Sequence, residues 1–290
     1  MIRNVQDHIW AFDCEWVPDP CAGRLLYKLP ADMPDREVLA VMWRENGATP
    51  EEPTPFLKTV LCRVISIAAV RRRVVRDKDG KGATVKLDLL WLPRDPDSAE
   101  QQAEGNVVGK FLQALGKSKP QLVGYNSRAS DLRILVQRSV ALGISAPEFC
   151  RRPDKPWEGV DYFHRDNEWH LDLMEMLSGW GARGGVALHE IATLSGIPGK
   201  FETEGLQVAP MWLDGRLREI VRYNCFDALT TYLLWLRMAH FAGLFDEARY
   251  EDEQNLVREL IMQLAEQPET EFLNRYFEEW ERLQALTGQA

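Results

Sequence analysis

Two acids inside an apolar run constrain this chain more than any other feature. Residues 8 to 17, His-Ile-Trp-Ala-Phe-Asp-Cys-Glu-Trp-Val, read as a buried β-strand. A period of two places Trp10, Phe12, Cys14 and Trp16 on one face and Asp13 and Glu15, with Ile9 and Ala11, on the other. Two like charges on one strand face repel, and burying either costs several kcal/mol in order of magnitude. A strand edge with two solvated acids is one way out. A bound cation, which reverses the penalty, is the other.

Two further acidic signatures follow in order. Pro120 to Asn126 is a short apolar run ended by turn residues, and Asp131 stands five residues after Asn126. Ser127 or Ser130 would cap the helix that follows, with Asp131 in its first turn. Asn126 can be a turn residue and Asp131 a helix-dipole partner. The third signature is Tyr223 and Asp227, at i and i+4 on one face of a helix expected from Leu213 to about His240, with Asp214 as its cap. A tyrosine–aspartate hydrogen bond in a core explains that pair as well as catalysis does. Together the three signatures supply four carboxylates and a phenol, the donor set for two divalent metal ions and phosphodiester hydrolysis.

The remaining elements read as mixed α/β. A helix is expected near Arg36 to Arg44, a hairpin of strands at Val60 to Val75 and Thr84 to Leu92, and one helix over Ser98 to Leu115. Short helices are expected from an Asp172 cap through Leu177 and over Val186 to Leu194. Gly179 to Gly184 spells G-x-G-x-x-G, but the stretch before it looks helical where a dinucleotide fold needs a strand, so that reading is rejected. Gly196 to Lys200 lacks the spacing of a P-loop, although Lys200 could reach a phosphate as a point charge. Among the loop aromatics Trp16, Tyr27, Trp157, Phe163 and Trp169, Trp16 is the best base-stacking candidate because it follows Glu15.

Charge and cysteine usage narrow the class. The net charge is −9, yet residues 246 to 290 hold twelve Asp or Glu against four Arg, so residues 1 to 245 are nearly neutral. The clusters Arg71 to Arg73, Arg151–Arg152 and Arg216/Arg218/Arg222 read as solvated faces or as phosphate tracks. Leu273, Tyr276, Trp280 and Leu283 make one apolar stripe on the acidic C-terminal helix. It must cover the body, a second copy or another protein. Five scattered cysteines without a C-x-x-C, no membrane-length apolar run and no leader pattern give the expectation of a cytoplasmic protein with no membrane partner.

D-x-E on the first strand, N-x4-D at a helix start and Y-x3-D on a late helix match, in order, the three motifs of the DEDD exonucleases, in the tyrosine version called DEDDy. Gly196-Ile-Pro-Gly-Lys200, then Gly205, Val208, Gly215 and Ile220 ahead of Tyr223, resemble the predicted 3'-5' exonucleases related to the proofreading domain of family-B DNA polymerases. The resemblance covers roughly residues 8 to 240 and departs at Ser130, where relatives usually have phenylalanine. It implies a ribonuclease-H-like α/β fold, a mixed central sheet flanked by helices with a helical C-terminal extension. The expected division is an exonuclease domain at 1–245, with an insertion at 18–57, and an acidic extension at 246–290. It also implies residue roles. Asp13 would bridge two ions, Mg2+ or Mn2+, Glu15 and Asp227 would complete one site, and Asp131 would hold the second. Tyr223 would orient water, and Trp16, Asn126 and Lys200 would contact substrate. The implied substrate is nucleic acid, single-stranded DNA 3' ends first, releasing nucleoside 5'-monophosphates. An exoribonuclease, or a polymerase-associated module without activity, is the alternative.

Overall fold

In the computed structural model, the described residues are 2–77, 82–155, 157–165, 168–179, 185–199, 201 and 208–288. Among these residues five strands form one mixed sheet in the order β3-β2-β1-β4-β5: β1 His8–Pro18, β2 Cys62–Arg76, β3 Ala83–Leu92, β4 Gln121–Gly124 and β5 His170–Asp172. β1, β2 and β3 are antiparallel neighbours, whereas β4 runs parallel to β1 and β5 parallel to β4. The apolar alternation of β1 serves two cores. Trp10, Phe12 and Cys14 pack with Phe111, Leu112 and Leu135 on one face. Ile9 and Ala11 pack with Ala68, Cys225, Ala228 and Leu229 on the other.

Helices fill both layers. α1 (Pro20–Tyr27) and α2 (Asp35–Glu45) build a small core of their own around Val38, Leu39 and Met42. α3 (Ala99–Gln102), α4 (Glu104–Ser118), α5 (Asp131–Leu142) and α6 (Pro147–Cys150) follow, then α7 (Leu173–Leu177), α8 (Leu188–Leu194) and α9 (Val208–Leu213). The long α10 (Leu217–Phe241) crosses the sheet on the Asp13 face, and α11 (Glu247–Ala265) and α12 (Leu273–Thr287) close that layer.

Three boundaries differ from the sequence reading. The expected helix over Ser98 to Leu115 breaks at Ala103, whose backbone is extended at φ −57°, ψ 121°. The break lets the Glu104 carboxylate turn inward, where it accepts from the Val64 N–H at 2.8 Å and from Arg138 at 2.6 and 2.7 Å. The helix expected from Leu213 starts at Leu217, as α10, and Leu213 instead ends the separate α9. Gly215, at φ 74°, ends α9 in a left-handed turn, and Asp214 pairs with Arg36 at 2.8 Å instead of capping. Ser130 precedes α5 without capping it, and its hydroxyl accepts from Asn126 Nδ2 at 3.1 Å.

The C-terminal stripe is spent on the body. Leu273, Tyr276, Trp280 and Leu283 are all buried, and the Tyr276 ring lies 5.4 Å from Phe226 of α10. α11 is anchored by charge as well. Arg72 of β2 and Glu253 are both buried, joined by two hydrogen bonds of 3.0 Å and a shorter one, and Tyr232 donates to the same carboxylate at 3.1 Å. Glu253→Ala, which strands the Arg72 charge, is expected to lower stability by about 3–5 kcal/mol. Trp280→Ala should cost a similar amount, about 3–5 kcal/mol, by opening a cavity. Urea unfolding against Glu259→Ala, on the exposed side of α11, measures both. Losses no larger than that control would mean that the two helices do not stabilise the sheet.

Candidate active site

β1 outruns its parallel neighbour. β4 pairs with it only from Ile9 to Ala11, so the strand from Phe12 onward has one side free of β4. Beyond the carboxyl end of β4 the chain turns through Asn126 and enters α5, which brings Asp131 to that free side. Its Oδ1 accepts the Cys14 N–H at 2.9 Å. On the other side the β1–β2 register slips between Glu15 and Trp16, a bulge beside the two acids. The Val64 N–H at this slip is the one bonded to Glu104.

α10 completes the site from above. Ile220, Tyr223 and Asp227 recur along the face it turns to the sheet. Carboxylate oxygens of Asp13, Glu15 and Asp227 all lie within 4.8 Å of one another. Asp227 is buried and Asp13 half-buried. Asn224, fully buried, donates from Nδ2 to Asp13 Oδ2 at 3.3 Å, and its Oδ1 has no partner among the described residues. Burial, and then the Asp227, Glu15 and Asp13 charges, push the Tyr223 phenol far above its ordinary pKa, so it is protonated at any physiological pH. The donor set fits a divalent cation. Three hard carboxylate oxygens converge, and an orphaned buried carbonyl oxygen belongs to a side chain that touches one of them.

Asp131 is buried and stands outside that trio, tied to β1 through Cys14. Burial raises its carboxyl to about 7. The Cys14 and Asp131 backbone N–H groups oppose the rise, and the Asp172 charge adds to it. Asp172 itself is a residue whose second task the sequence did not disclose. It caps α7, accepting from Met174 and Glu175 at 3.1 and 3.3 Å, and it also accepts from the backbone N–H of Asn126 at 3.0 Å and of Arg128 at 2.9 Å. It therefore clamps the turn that delivers Asp131. Gly124 opens this turn where a Cβ would approach Ser127 to 2.3 Å.

Of the expected substrate contacts, Asn126 and Trp16 make contacts within the fold. Asn126 holds the turn, with φ 55° and its side chain on Ser130. Trp16 packs against the Phe12 face, turned from the carboxylates. Lys200, Gly205 and Trp180 to Gly184 lie outside the described residues. Among the loop aromatics Trp157 is exposed, while Phe163 packs edge-on against Phe149 at 5.3 Å. The basic clusters are largely occupied by ion pairs. Arg71 and Arg73 hold Asp88, Arg152 holds Asp161, Arg216 holds Glu219 and Arg218 holds Asp97.

A mixed sheet whose long first strand and late helix bring carboxylates together defines a ribonuclease-H-like exonuclease fold. The profile of one protein family, predicted 3'-5' exonucleases related to the exonuclease domain of PolB, matches residues 54–280, and the chain belongs to that family. Asp131, Tyr223 and Asp227 fall inside the matched stretch. Asp13 and Glu15 precede it and are brought in by the sheet. No curated protein matches the chain.

The raised carboxyl of Asp131 has a measurable consequence in the metal-free protein. The folded chain keeps this proton up to about 7, whereas the unfolded chain loses it near the ordinary 3.8. The resulting stability is complete below the unfolded value and is lost as pH rises toward the folded one. Between about pH 5 and pH 8 in EDTA, wild type should therefore lose on the order of a few kcal/mol more than Asp131→Asn. Parallel unfolding curves for the two proteins would show that Asp131 is ionised throughout.

Proposed function

We propose that the chain is a metal-dependent 3'-5' exonuclease of the DEDDy type, removing nucleoside 5'-monophosphates from single-stranded DNA 3' ends. The observation that carries this reading is the convergence of Asp13, Glu15 and Asp227 within 4.8 Å, beneath the Tyr223 phenol. Two ions, Mg2+ or Mn2+, would supply Lewis-acid activation of water and charge stabilisation at the departing 3' oxygen. Asp13, Glu15 and Asp227 would hold them, with Asp131 completing the set from the α5 side. Asn224 orients the Asp13 carboxylate. Tyr223 keeps its proton, so its role is to donate a hydrogen bond and orient the attacking water, not to act as a base. The preference for DNA follows the relation to a polymerase exonuclease domain. We place the protein in the cytoplasm, in keeping with its five free cysteines.

A digestion series tests substrate, polarity and metal together. With 5'-labelled single-stranded DNA, duplex DNA and RNA in Mg2+, Mn2+ or EDTA, the expected result is a ladder shortening from the 3' end of single-stranded DNA, absent in EDTA. Internal cuts, loss of the 5' label or full activity in EDTA would sink the proposal. RNA shortened faster than DNA would make the enzyme an exoribonuclease.

Site variants separate the roles. Asp13→Ala and Asp227→Ala should abolish hydrolysis and weaken Mn2+ binding in calorimetry while remaining folded. Tyr223→Phe should lower the rate by roughly 10²-fold with Mn2+ affinity unchanged. Loss of metal binding in Tyr223→Phe would instead make the hydroxyl a structural partner of Asp227.

A further inference from the structure

The outer edge of the sheet carries a feature that hydrolysis does not use. Among the described residues β3 pairs only with β2 and ends the sheet. A groove of about 680 Å³ runs along Leu87 to Leu92, with Phe111 of α4 and Leu264 of α11 among its walls. Folded proteins usually blunt such an edge with charge, proline, a bulge or a covering element. Here Leu89, Leu90, Trp91 and Leu92 stand in one run, and the β2–β3 register is continuous from Ile67↔Leu92 to Arg76↔Ala83, so no bulge turns the edge away. Leu87, Leu90, Trp91 and Leu92 are each only partly buried. Six residues of open strand span about 20 Å, enough to seat a short extended segment.

Charge indicates which segment fits. Arg94 and Lys110 line the groove and are exposed, and among the described residues neither forms an ion pair. Arg94 is stacked on Trp91 at 3.6 Å, which leaves its in-plane N–H groups available. Of the two acids lining the groove, Asp88 is already held by Arg71 and Arg73, leaving Glu269. The uncommitted charge of this groove is thus positive, in a chain whose net charge is −9. A second copy would meet the groove with the same two cations.

We propose that the β3 edge docks an extended, apolar segment of a partner protein carrying acidic residues, added to the sheet as a sixth strand. Backbone hydrogen bonds to β3 supply the pairing, alternate apolar side chains enter the groove, and the acids reach Arg94 and Lys110. This docking is independent of the hydrolytic reading, because the edge lies two strands away from β1.

The test uses the full chain and a fluorescein-labelled peptide of alternating Thr and Leu flanked by Glu, read by anisotropy. Saturable binding is expected, weakened about tenfold or more when Lys replaces the flanking Glu and in the double variant Arg94→Glu/Lys110→Glu. That variant should turn over a short oligonucleotide at the wild-type rate. Two further peptides, N-methylated at alternate residues on opposite edges, need no protein variant. One should lose binding about tenfold and the other keep it, because only one edge faces β3. No saturable binding, or equal binding of both methylated peptides, overturns the proposal. So does competition by single-stranded DNA, or a dimer in sedimentation that Leu90→Arg dissociates; the latter would give the edge to a second copy.

Discussion

The structure depends on how close a helix can come to a strand that carries acids. Asp13 and Glu15 interrupt an apolar face, and only a helix that approaches tightly can set Asp227 within 4.8 Å of both. Small residues permit that approach. Ala11 of β1, Ala68 of β2 and Ala228 of α10 are completely buried in one cluster, where larger side chains would hold α10 off. Next to this contact Val17, on the same face of β1 as Asp13 and Glu15, packs with Ile220 and Val221 at the start of α10, together with Ile65, the residue that the β1–β2 bulge leaves unpaired. Packing of neutral side chains thus sets the distance between charged ones.

Polar contacts fix what packing leaves free. Asp172 holds the Asn126 and Arg128 N–H groups and so aims Asp131. Buried Arg138 joins Glu104 to Asp19, whose other oxygen caps α1 through the Cys21 N–H at 3.0 Å. One guanidinium therefore ties the end of β1 and the start of the 18–57 stretch to α4 and α5. A group with two charged, buried partners strongly favours one geometry, because any other leaves a charge without compensation.

Much of this could be read from residue order. Period two along β1 gave the two faces correctly, and i, i+4 spacing gave the Tyr223–Asp227 face, because both depend on local backbone geometry alone. The Asp172 cap was legible for the same reason. What remained hidden depends on contacts distant in sequence. The break at Ala103 exists because Glu104 has partners 40 and 34 residues away. The second task of Asp172 is with a turn 46 residues upstream. Trp16 follows Glu15 in sequence, yet the period of two already sets it on the opposite face, where it packs, so nearness along the chain is a poor guide to the site. The fate of the C-terminal stripe was an open choice between three surfaces, and local pattern cannot tell which surface an apolar face will meet.

The Arg72–Glu253 pair also sets an order of events in the life of the chain. Arg72 lies in the second strand of the sheet, and its carboxylate partner is 181 residues further on. Asp13 and the Asn224 that orients it are separated by 211. A chain emerging from the ribosome cannot complete the carboxylate trio until α10 has been made, nor pair Arg72 until α11 has. A fragment ending before residue 247 would lack Glu253, the carboxylate that Arg72 holds. The first and last thirds of the sequence must therefore meet before the protein can act, which keeps partial products of synthesis or proteolysis from becoming stray nucleases.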